Sequence, residues 1–140
     1  SVVRRQRQMC IRDRDIAIFM VQKELADRIT ASEGSRQYGR ISVMIQACCD
    51  VKKEFNVSPN CFFPKPRITS SILTFKNKKI QNFNFDILEK VVKKCFSQRR
   101  KKIKTTLNKY IEVIRELDID EDLRPENLTI EDYYNITMSI

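Results

Sequence analysis

The stretch Ile16-Ala-Ile-Phe-Met-Val-Gln-Lys-Glu-Leu-Ala-Asp-Arg-Ile29 joins an apolar block to a run of strong helix formers. The block from Ile16 to Val21 is rich in β-branched and aromatic residues, which is typical of a buried strand. The residues from Gln22 to Ile29 favour a helix that follows the strand directly. A buried strand that runs into a helix predicts the edge of an α/β unit.

A second helix and further strands are predicted downstream. Gly34 and Gly39 bracket a polar turn, after which apolar residues recur at helical spacing from Ile41 to Cys48. A strand from about Ile68 to Phe75 comes later. Before it, a two-residue alternation predicts another strand with three apolar side chains on one face, namely Val51, Phe55 and Val57.

Beyond the polar and aperiodic segment 77–84, which predicts a linker, the pattern becomes helical. Ser97 is expected to cap a new helix that carries a cluster of cations and buries Ile103 and Leu107. A short helix near 111–117 follows, and Thr129 with Asp132 predicts a capping box before a last helix from Ile130. The helix that precedes Ser97 is expected to be capped by Asn84 or Asp86. Its apolar stripe consists of Phe85, Leu88, Val91, Val92, Cys95 and Phe96.

The composition favours an anionic partner. Among 140 residues, 27 are Lys or Arg and 18 are Asp or Glu, which gives a net charge of +9. The five cysteines form no CxxC pair and the chain has no histidine. A zinc site and a Cys-His nucleophile are therefore not expected, and free thiols in the reducing cytoplasm are. The apolar block at 16–21 is too short to span a bilayer, so no membrane partner is expected.

The loop within Ser58 to Ile72 places two aromatic rings beside Pro64 and Pro66, with Lys65 and Arg67 between and after the prolines. Proline fixes its own φ and biases the residue before it toward extended backbone, so the loop should be stiff. Rings on a stiff loop beside positive charge suit a flipped nucleobase. Both rings could instead anchor the core beneath a turn, and for Phe63 this is the interpretation we favour.

Five blocks, in order, resemble the C-terminal part of the ribosomal RNA adenine dimethyltransferases of the kasugamycin-resistance type. They are Met20-Val-Gln-Lys-Glu-Leu-Ala-Asp-Arg-Ile29, Tyr38-Gly-Arg-Ile-Ser-Val43, Phe62-Phe-Pro-Lys-Pro-Arg-Ile-Thr-Ser70, Phe96-Ser-Gln-Arg-Arg-Lys101 and Arg124-Pro-Glu-Asn-Leu-Thr129. The resemblance implies the C-terminal portion of a Rossmann-like methyltransferase domain at 15–76, a linker at 77–84 and a small all-α rRNA-binding domain at 85–140.

The resemblance also implies a reaction. The family uses S-adenosylmethionine to methylate the exocyclic amines of two adjacent adenosines in small-subunit rRNA, after the base is flipped from its stack. Phe62 and Pro64 lie where the family places its base-stacking wall. The family's Asn-aliphatic-Pro-aromatic motif and a glycine-rich cofactor turn are absent from this sequence. We therefore expect no catalytic or cofactor-binding residue within it, and no methyl transfer by this chain alone.

Residues 1–14 match no part of the family pattern. They are expected to be a leader foreign to the fold, similar to translated adapter sequence, or else a basic arm that contacts nucleic acid. The expected partners are small-subunit rRNA and the pre-ribosomal small subunit, with no DNA, and the chain is expected to be a monomer.

The cations admit two interpretations. They either bind rRNA phosphates or form solvated helix faces. A stand-alone, non-catalytic RNA-binding module is the alternative to the enzyme, and a DNA-binding helical protein is a third hypothesis. The RNA-binding candidates are Arg99, Arg100, Lys101, Lys102 and Lys104, with Lys65, Arg67, Arg36 and Arg40 as a second group.

Overall fold

The computed structural model describes residues 16–79 and 84–140, and it confirms the α/β class. The leader at 1–14 and positions 80–83 of the expected linker lie outside the described residues. In chain order the elements are β1 (Ile16–Gln22), α1 (Lys23–Ile29), α2 (Arg40–Gln46), β2 (Cys49–Val57), a 3-10 helix (Pro59–Cys61), β3 (Ser70–Asn77), α3 (Phe85–Ser97), α4 (Ile103–Thr106), a 3-10 helix (Asn108–Tyr110), α5 (Ile111–Glu116), a 3-10 helix (Pro125–Asn127) and α6 (Ile130–Ser139).

The three described strands form one sheet in the order β1-β3-β2. β3 is antiparallel to both neighbours, so β1 and β2 run in the same direction. The register pairs Gln22 and Val57 with Ser70, which places the carboxyl ends of β1 and β2 at one edge of the sheet. Helices α1 and α2 cover one face through Ala26 and Ile45, which pack near the buried side chains of β3.

The strand-to-helix prediction for β1 and α1 is confirmed, but the predicted burial of β1 is wrong. Ile16, Ile18 and Met20 are 58%, 67% and 53% exposed. The register pairs Met20 with Ile72, whereas Leu73 and Phe75 turn to the helix-covered face. Because successive strand residues point to opposite faces, these β1 side chains lie on a face that the described residues leave uncovered.

The prediction that Val51 and Phe55 share a face is also wrong. A β-bulge between Lys53 and Phe55 inserts an extra residue, so that Val51 lies opposite Phe75 and Phe55 lies opposite Ile72. A bulge reverses the side-chain alternation beyond it. Val51 therefore packs on the helix side, and Phe55, 60% exposed, joins the uncovered apolar face.

The helical half begins and ends as its local signals predict. The Asn84 Oδ1 accepts hydrogen bonds from the N–H groups of Asp86 and Ile87 at 3.1 and 3.2 Å, which caps α3. The capping box before α6 is confirmed by reciprocal bonds between Thr129 and Asp132 at 2.9 and 3.0 Å. Within residues 16–79 and 84–140, every helix falls short of the length and apolar character that crossing a bilayer requires.

The predicted basic helix from Ser97 is wrong. Ser97 is the last residue of α3, and its hydroxyl donates to the Lys94 carbonyl at 2.8 Å instead of capping a new helix. The chain turns before α4, where the Ile103 N–H donates to the Leu123 carbonyl at 2.8 Å. Ile103 and Leu107 are fully buried as predicted, and burying them requires the change of direction that ends α3.

One hydrophobic core joins the helical half to the segment before the sheet's second strand. Val43, Met44 and Ala47 belong to the same buried cluster as Leu88 and Ile136. The buried Tyr38 hydroxyl donates to the Leu128 carbonyl at 2.8 Å, and burial raises the pKa of Tyr38. The division at 77–84 into two domains stays a prediction, and the core runs across it.

The Tyr38 bond can be tested by removing one oxygen. Tyr38→Phe leaves the buried Leu128 carbonyl without its donor, so the free energy of unfolding should fall by about 1–3 kcal/mol. Urea denaturation measures the change. Tyr110→Phe is the matched control: its ring is half-buried, its hydroxyl bonds to none of the described residues, and we expect a change within about 0.5 kcal/mol. Equal losses in both variants would contradict the assignment.

Against the monomer expected from the sequence, the uncovered apolar face predicts self-association of this chain. Replacing Ile18 and Phe55 together by Ser should weaken association by roughly tenfold or more, since burying even one such side chain is worth about 1.5–3 kcal/mol. Sedimentation velocity over a range of concentrations measures the dissociation constant. Ile68→Ser, which alters an exposed loop residue outside the sheet, should leave association unchanged. Unaltered association in the double variant would refute the role of this face.

Candidate nucleic-acid interface

The aromatic loop lies at the sheet edge where β1 and β2 end. It follows the 3-10 helix, which Ser58 caps by accepting from the Asn60 N–H at 3.2 Å. At its far end, the Thr69 carbonyl accepts from the Lys23 N–H at 3.0 Å, which fastens the loop to the start of α1. In open α/β sheets, the carboxyl ends of the parallel strands are the usual place for a ligand.

The two rings of the loop face opposite ways. Phe62 is half-buried and has extended backbone, with φ −118° and ψ 148°. Successive side chains on extended backbone point in opposite directions, and Phe63 is 102% exposed. The prediction that Phe63 anchors the core is therefore wrong. Pro64 follows across a cis peptide bond and is exposed, as are Lys65 and Arg67.

The cations from Arg99 to Lys104 divide into three groups that differ in whether and how they pair with acids. Arg99 is fixed: its Nε donates to Glu126 Oε2 at 2.7 Å and its Nη2 to the Arg36 carbonyl at 2.9 Å. Arg100 and Lys101 lie in the turn after α3, exposed and without an acidic partner in the described part of the chain.

Lys102 and Lys104 share one carboxylate. Their Nζ atoms lie 2.9 and 2.7 Å from Asp122 Oδ1. Hydrogen bonds from Lys104 and Lys102 lower the pKa of Asp122 to about 2. The carboxylate therefore remains ionised at neutral pH, and it competes with any phosphate for both lysines.

Four arginines line one cavity of about 720 Å³, and three of them, Arg36, Arg40 and Arg99, were among the predicted RNA-binding residues. Arg28 was missed. It lies in the last turn of α1, and no local pattern in the sequence distinguishes it from other exposed cations. The remaining lining residues are Leu25, Gln37, Gly39 and Ile41.

A cofactor cradle does not form among the described residues. S-adenosylmethionine carries a sulfonium cation, and the arginines of the cavity would repel it. Gly34 has a positive φ of 81°, but its N–H donates to the Glu126 carbonyl at 2.7 Å and is not free to approach a ligand. Gly39 lines the arginine cavity instead of following a strand. The residues present do not fit the cofactor.

The described cysteines and acids offer no metal site. Across 16–79 and 84–140, no group of three or more His, Cys, Asp or Glu side chains could hold a metal ion. Burial raises the pKa of the Cys95 thiol to about 12, so this group remains protonated. Cys10 lies outside the described residues, and no disulfide joins the four described cysteines, Cys48, Cys49, Cys61 and Cys95.

Comparison with known proteins shows which family the chain resembles. The family model for ribosomal RNA adenine dimethylase matches residues 7–140, a range that begins within the expected leader. The ribosomal RNA small subunit methyltransferase A of Malacoplasma penetrans (strain HF-2) is 44% identical over 124 residues, covering 84% of this chain and 46% of that protein. Its counterpart in Coxiella burnetii (strain RSA 493 / Nine Mile phase I) is 44% identical over 135 residues, covering 91% and 50%.

Two solved methyltransferase structures resemble this chain. A dimethyladenosine transferase from Plasmodium falciparum is 26% identical with a TM-score of 0.79, covering 89% of this chain and 56% of that one. The 23S rRNA methyltransferase ErmE is 14% identical with a TM-score of 0.66, covering 99% and 61%, and shows likeness of fold alone. The chain spans about half the length of the curated relatives it matches.

Removing the carboxylate that Lys102 and Lys104 share should strengthen binding to structured RNA. Asp122→Asn releases both cations, so affinity should rise by roughly two- to fivefold, and the dependence of log affinity on log salt should steepen by up to about 0.9 for each lysine that reaches a phosphate. Fluorescence anisotropy across a salt series measures both quantities.

Asp118→Asn is the matched control for this substitution. It removes the same charge from an exposed position that forms no ion pair with the described residues, and Asn tolerates the positive φ of 55° there. We expect a small rise in affinity and no change in slope. If Asp122→Asn behaved like Asp118→Asn, Lys102 and Lys104 would be solvated cations only.

Proposed function

Because this chain belongs to the ribosomal RNA adenine dimethylase family, a family of methyltransferases, we propose that it takes part in methylating the exocyclic amines of two adjacent adenosines in small-subunit rRNA. The methyl donor would be S-adenosylmethionine, as the family implies. The observation that carries the proposal is the position of the aromatic loop, with Phe62 and Pro64 at the sheet edge where β1 and β2 end. The pre-ribosomal small subunit is the partner we infer.

The proposed architecture follows the family. We assign residues 15–76 to the C-terminal portion of a Rossmann-like methyltransferase domain and residues 85–140 to a small helical domain that binds rRNA. The strand order β1-β3-β2 and the likeness of fold to ErmE support the first assignment. The uncovered face bearing Ile18 and Phe55 also supports it, since an apolar face of this kind requires a covering layer.

Phe62 contributes to the reaction by holding the flipped base. Extruding an adenosine from its stack costs a few kcal/mol, and stacking on an aromatic ring returns roughly 1–3 kcal/mol. The half-buried position of Phe62 restricts its ring before the base arrives, so little side-chain entropy is lost on stacking. Pro64 stiffens the same wall of the site.

The cations of the proposed rRNA-binding surface act unequally. Arg100 and Lys101 are exposed and available to phosphates, together with Lys65 and Arg67 beside the loop. Lys102 and Lys104 bind phosphate only by leaving Asp122.

A non-catalytic RNA-binding module is the second candidate. The arginine-lined cavity favours it, because that cavity suits a phosphate and repels the methyl donor. RNA binding without any methyl transfer, once the chain is joined to the half that its relatives have in addition, would favour this alternative.

Methyl transfer by such a chimera tests the role of Phe62. The chain is joined to the N-terminal half of a relative, and transfer of a labelled methyl group to small-subunit rRNA is measured. Phe62→Leu keeps an apolar side chain in the half-buried position but removes the ring, so kcat/KM should fall by about five- to 150-fold. Phe62→Tyr keeps the ring and should retain activity.

Phe63→Leu is the neighbouring control. It removes a fully exposed ring from the same loop, and activity should change by less than about threefold if Phe62 alone stacks on the target. A larger loss of kcat/KM in Phe63→Leu than in Phe62→Leu would assign base stacking to Phe63 and contradict the role proposed for Phe62.

A further inference from the structure

Four arginines from three separate segments converge on one cavity. Arg28 comes from α1, Arg36 and Arg40 from the turn before α2 and its first residue, and Arg99 from the turn after α3. The cavity volume is about 720 Å³, and Leu25 contributes apolar surface to its wall. The lining residues include four cations and no acid, so the space itself has a positive potential.

Two of the arginines are held in place by acids of the helical half. Arg40 pairs with Glu89 of α3 at 3.0 Å, and Arg99 pairs with Glu126 at 2.7 Å. Arg99 also donates to the Arg36 carbonyl at 2.9 Å, which ties the two sides of the cavity together. These bonds fix two guanidinium groups in advance, so a ligand does not have to order them.

The other two arginines are free to engage a ligand. Arg36 is exposed and its side chain pairs with no acid in the described part of the chain. Arg28 pairs with Glu24 at 3.0 Å, but the Glu24 side chain is 75% exposed. An exposed i,i+4 pair of this kind is weak, whereas a guanidinium group binds phosphate with two parallel hydrogen bonds.

The charge balance matches one phosphodiester. Three of the four arginines are paired with a glutamate, namely Arg28, Arg40 and Arg99, and Arg36 is not. The site therefore keeps one uncompensated positive charge, which is the charge that a phosphodiester neutralises. The cavity is larger than a phosphate alone, and the apolar surface of Leu25 and Ile41 is suited to the adjoining ribose.

Helix α1 connects this cavity to the aromatic loop. The N–H of Lys23, its first residue, donates to the Thr69 carbonyl of the loop at 3.0 Å, and Arg28 lies in its last turn. A helix rises 1.5 Å per residue, so these two positions are roughly 8 Å apart along the axis. The Thr69 end of the aromatic loop and the arginine cavity therefore lie at opposite ends of one short helix.

We propose that this cavity is a binding site for an RNA backbone phosphate and its ribose, gripped by Arg28 and Arg36 beside the fixed guanidinium groups of Arg40 and Arg99. The proposal rests on the RNA partner inferred above and adds a specific phosphate site beside the target nucleotide. Because both gripping arginines are exposed, replacing them does not disturb the core.

The test measures how the affinity of this chain for a transcribed fragment of small-subunit rRNA depends on salt. The double variant Arg28→Gln/Arg36→Gln should flatten the slope of log affinity against log salt by about 0.7–0.9, because both arginines contact the same phosphate and each phosphate contact contributes that amount. Arg28→Lys/Arg36→Lys keeps both charges and should restore the slope while binding more weakly than the wild type, since lysine lacks the two-pronged geometry.

Lys90→Gln/Lys93→Gln is the charge-matched control. It removes two exposed cations of α3 that do not line the cavity, and its slope should stay within experimental error of the wild type. Equal slopes in the Arg28→Gln/Arg36→Gln variant and this control would overturn the phosphate site, while binding of rRNA by the wild type would leave the proposed function standing.

A second probe separates RNA from a small phosphorylated ligand. Inorganic phosphate is titrated against the same variants and followed by the width of its phosphorus NMR signal. Weak broadening that is lost in Arg28→Gln/Arg36→Gln, together with rRNA binding, supports the proposal. Broadening with no rRNA binding by the wild type would overturn both the RNA phosphate site and the proposed RNA partner.

Discussion

The arrangement of the cavity depends on the hydrogen bonds that the segment Pro125–Leu128 accepts. Its Leu128 carbonyl accepts a hydrogen bond from the buried Tyr38 hydroxyl at 2.8 Å. The Glu126 carbonyl accepts from the Gly34 N–H, and the Glu126 carboxylate accepts from the Arg99 Nε, both at 2.7 Å. These bonds join residues from the turn before α2, the turn after α3 and the approach to α6. A buried carbonyl that loses its donor is left unsatisfied, so the Tyr38 bond fixes the turn before α2 strongly.

Local signals in the sequence predicted the elements that depend on neighbouring residues alone. Asn84 and the Thr129–Asp132 pair cap their helices, because a cap is made by backbone and side chains within one turn. The residues that line the cavity cannot be predicted from such local signals. Arg28 lines the cavity only because the fold brings α1 to the same space as the turn before α2 and the turn after α3, and no spacing in the sequence records that arrangement.

The wrong predictions share a cause of longer range. Ser97 is a good cap residue, but α3 continues to it and then turns so that Ile103 and Leu107 are buried. Phe55 matches the alternation of Val51 until a bulge reverses it. In both cases tertiary packing or strand pairing overrides a valid local preference, which propensity and periodicity do not include.

A net charge of +9 predicts an anionic partner without indicating which cations meet it. Ion pairing makes that selection: Asp122 occupies Lys102 and Lys104, Glu126 fixes Arg99, and Arg36 has no acidic partner in the described part of the chain. Phosphate contacts position a nucleic acid, and stacking tolerates any base, so neither the cavity nor the aromatic loop reads the edge of an adenine. If both sites act as proposed, they hold the strand and the extruded ring in place, and the choice of adenine has to come from hydrogen bonds to its amine edge. Positioning and base selection are then separate tasks, and the residues described in this chain are suited to the first.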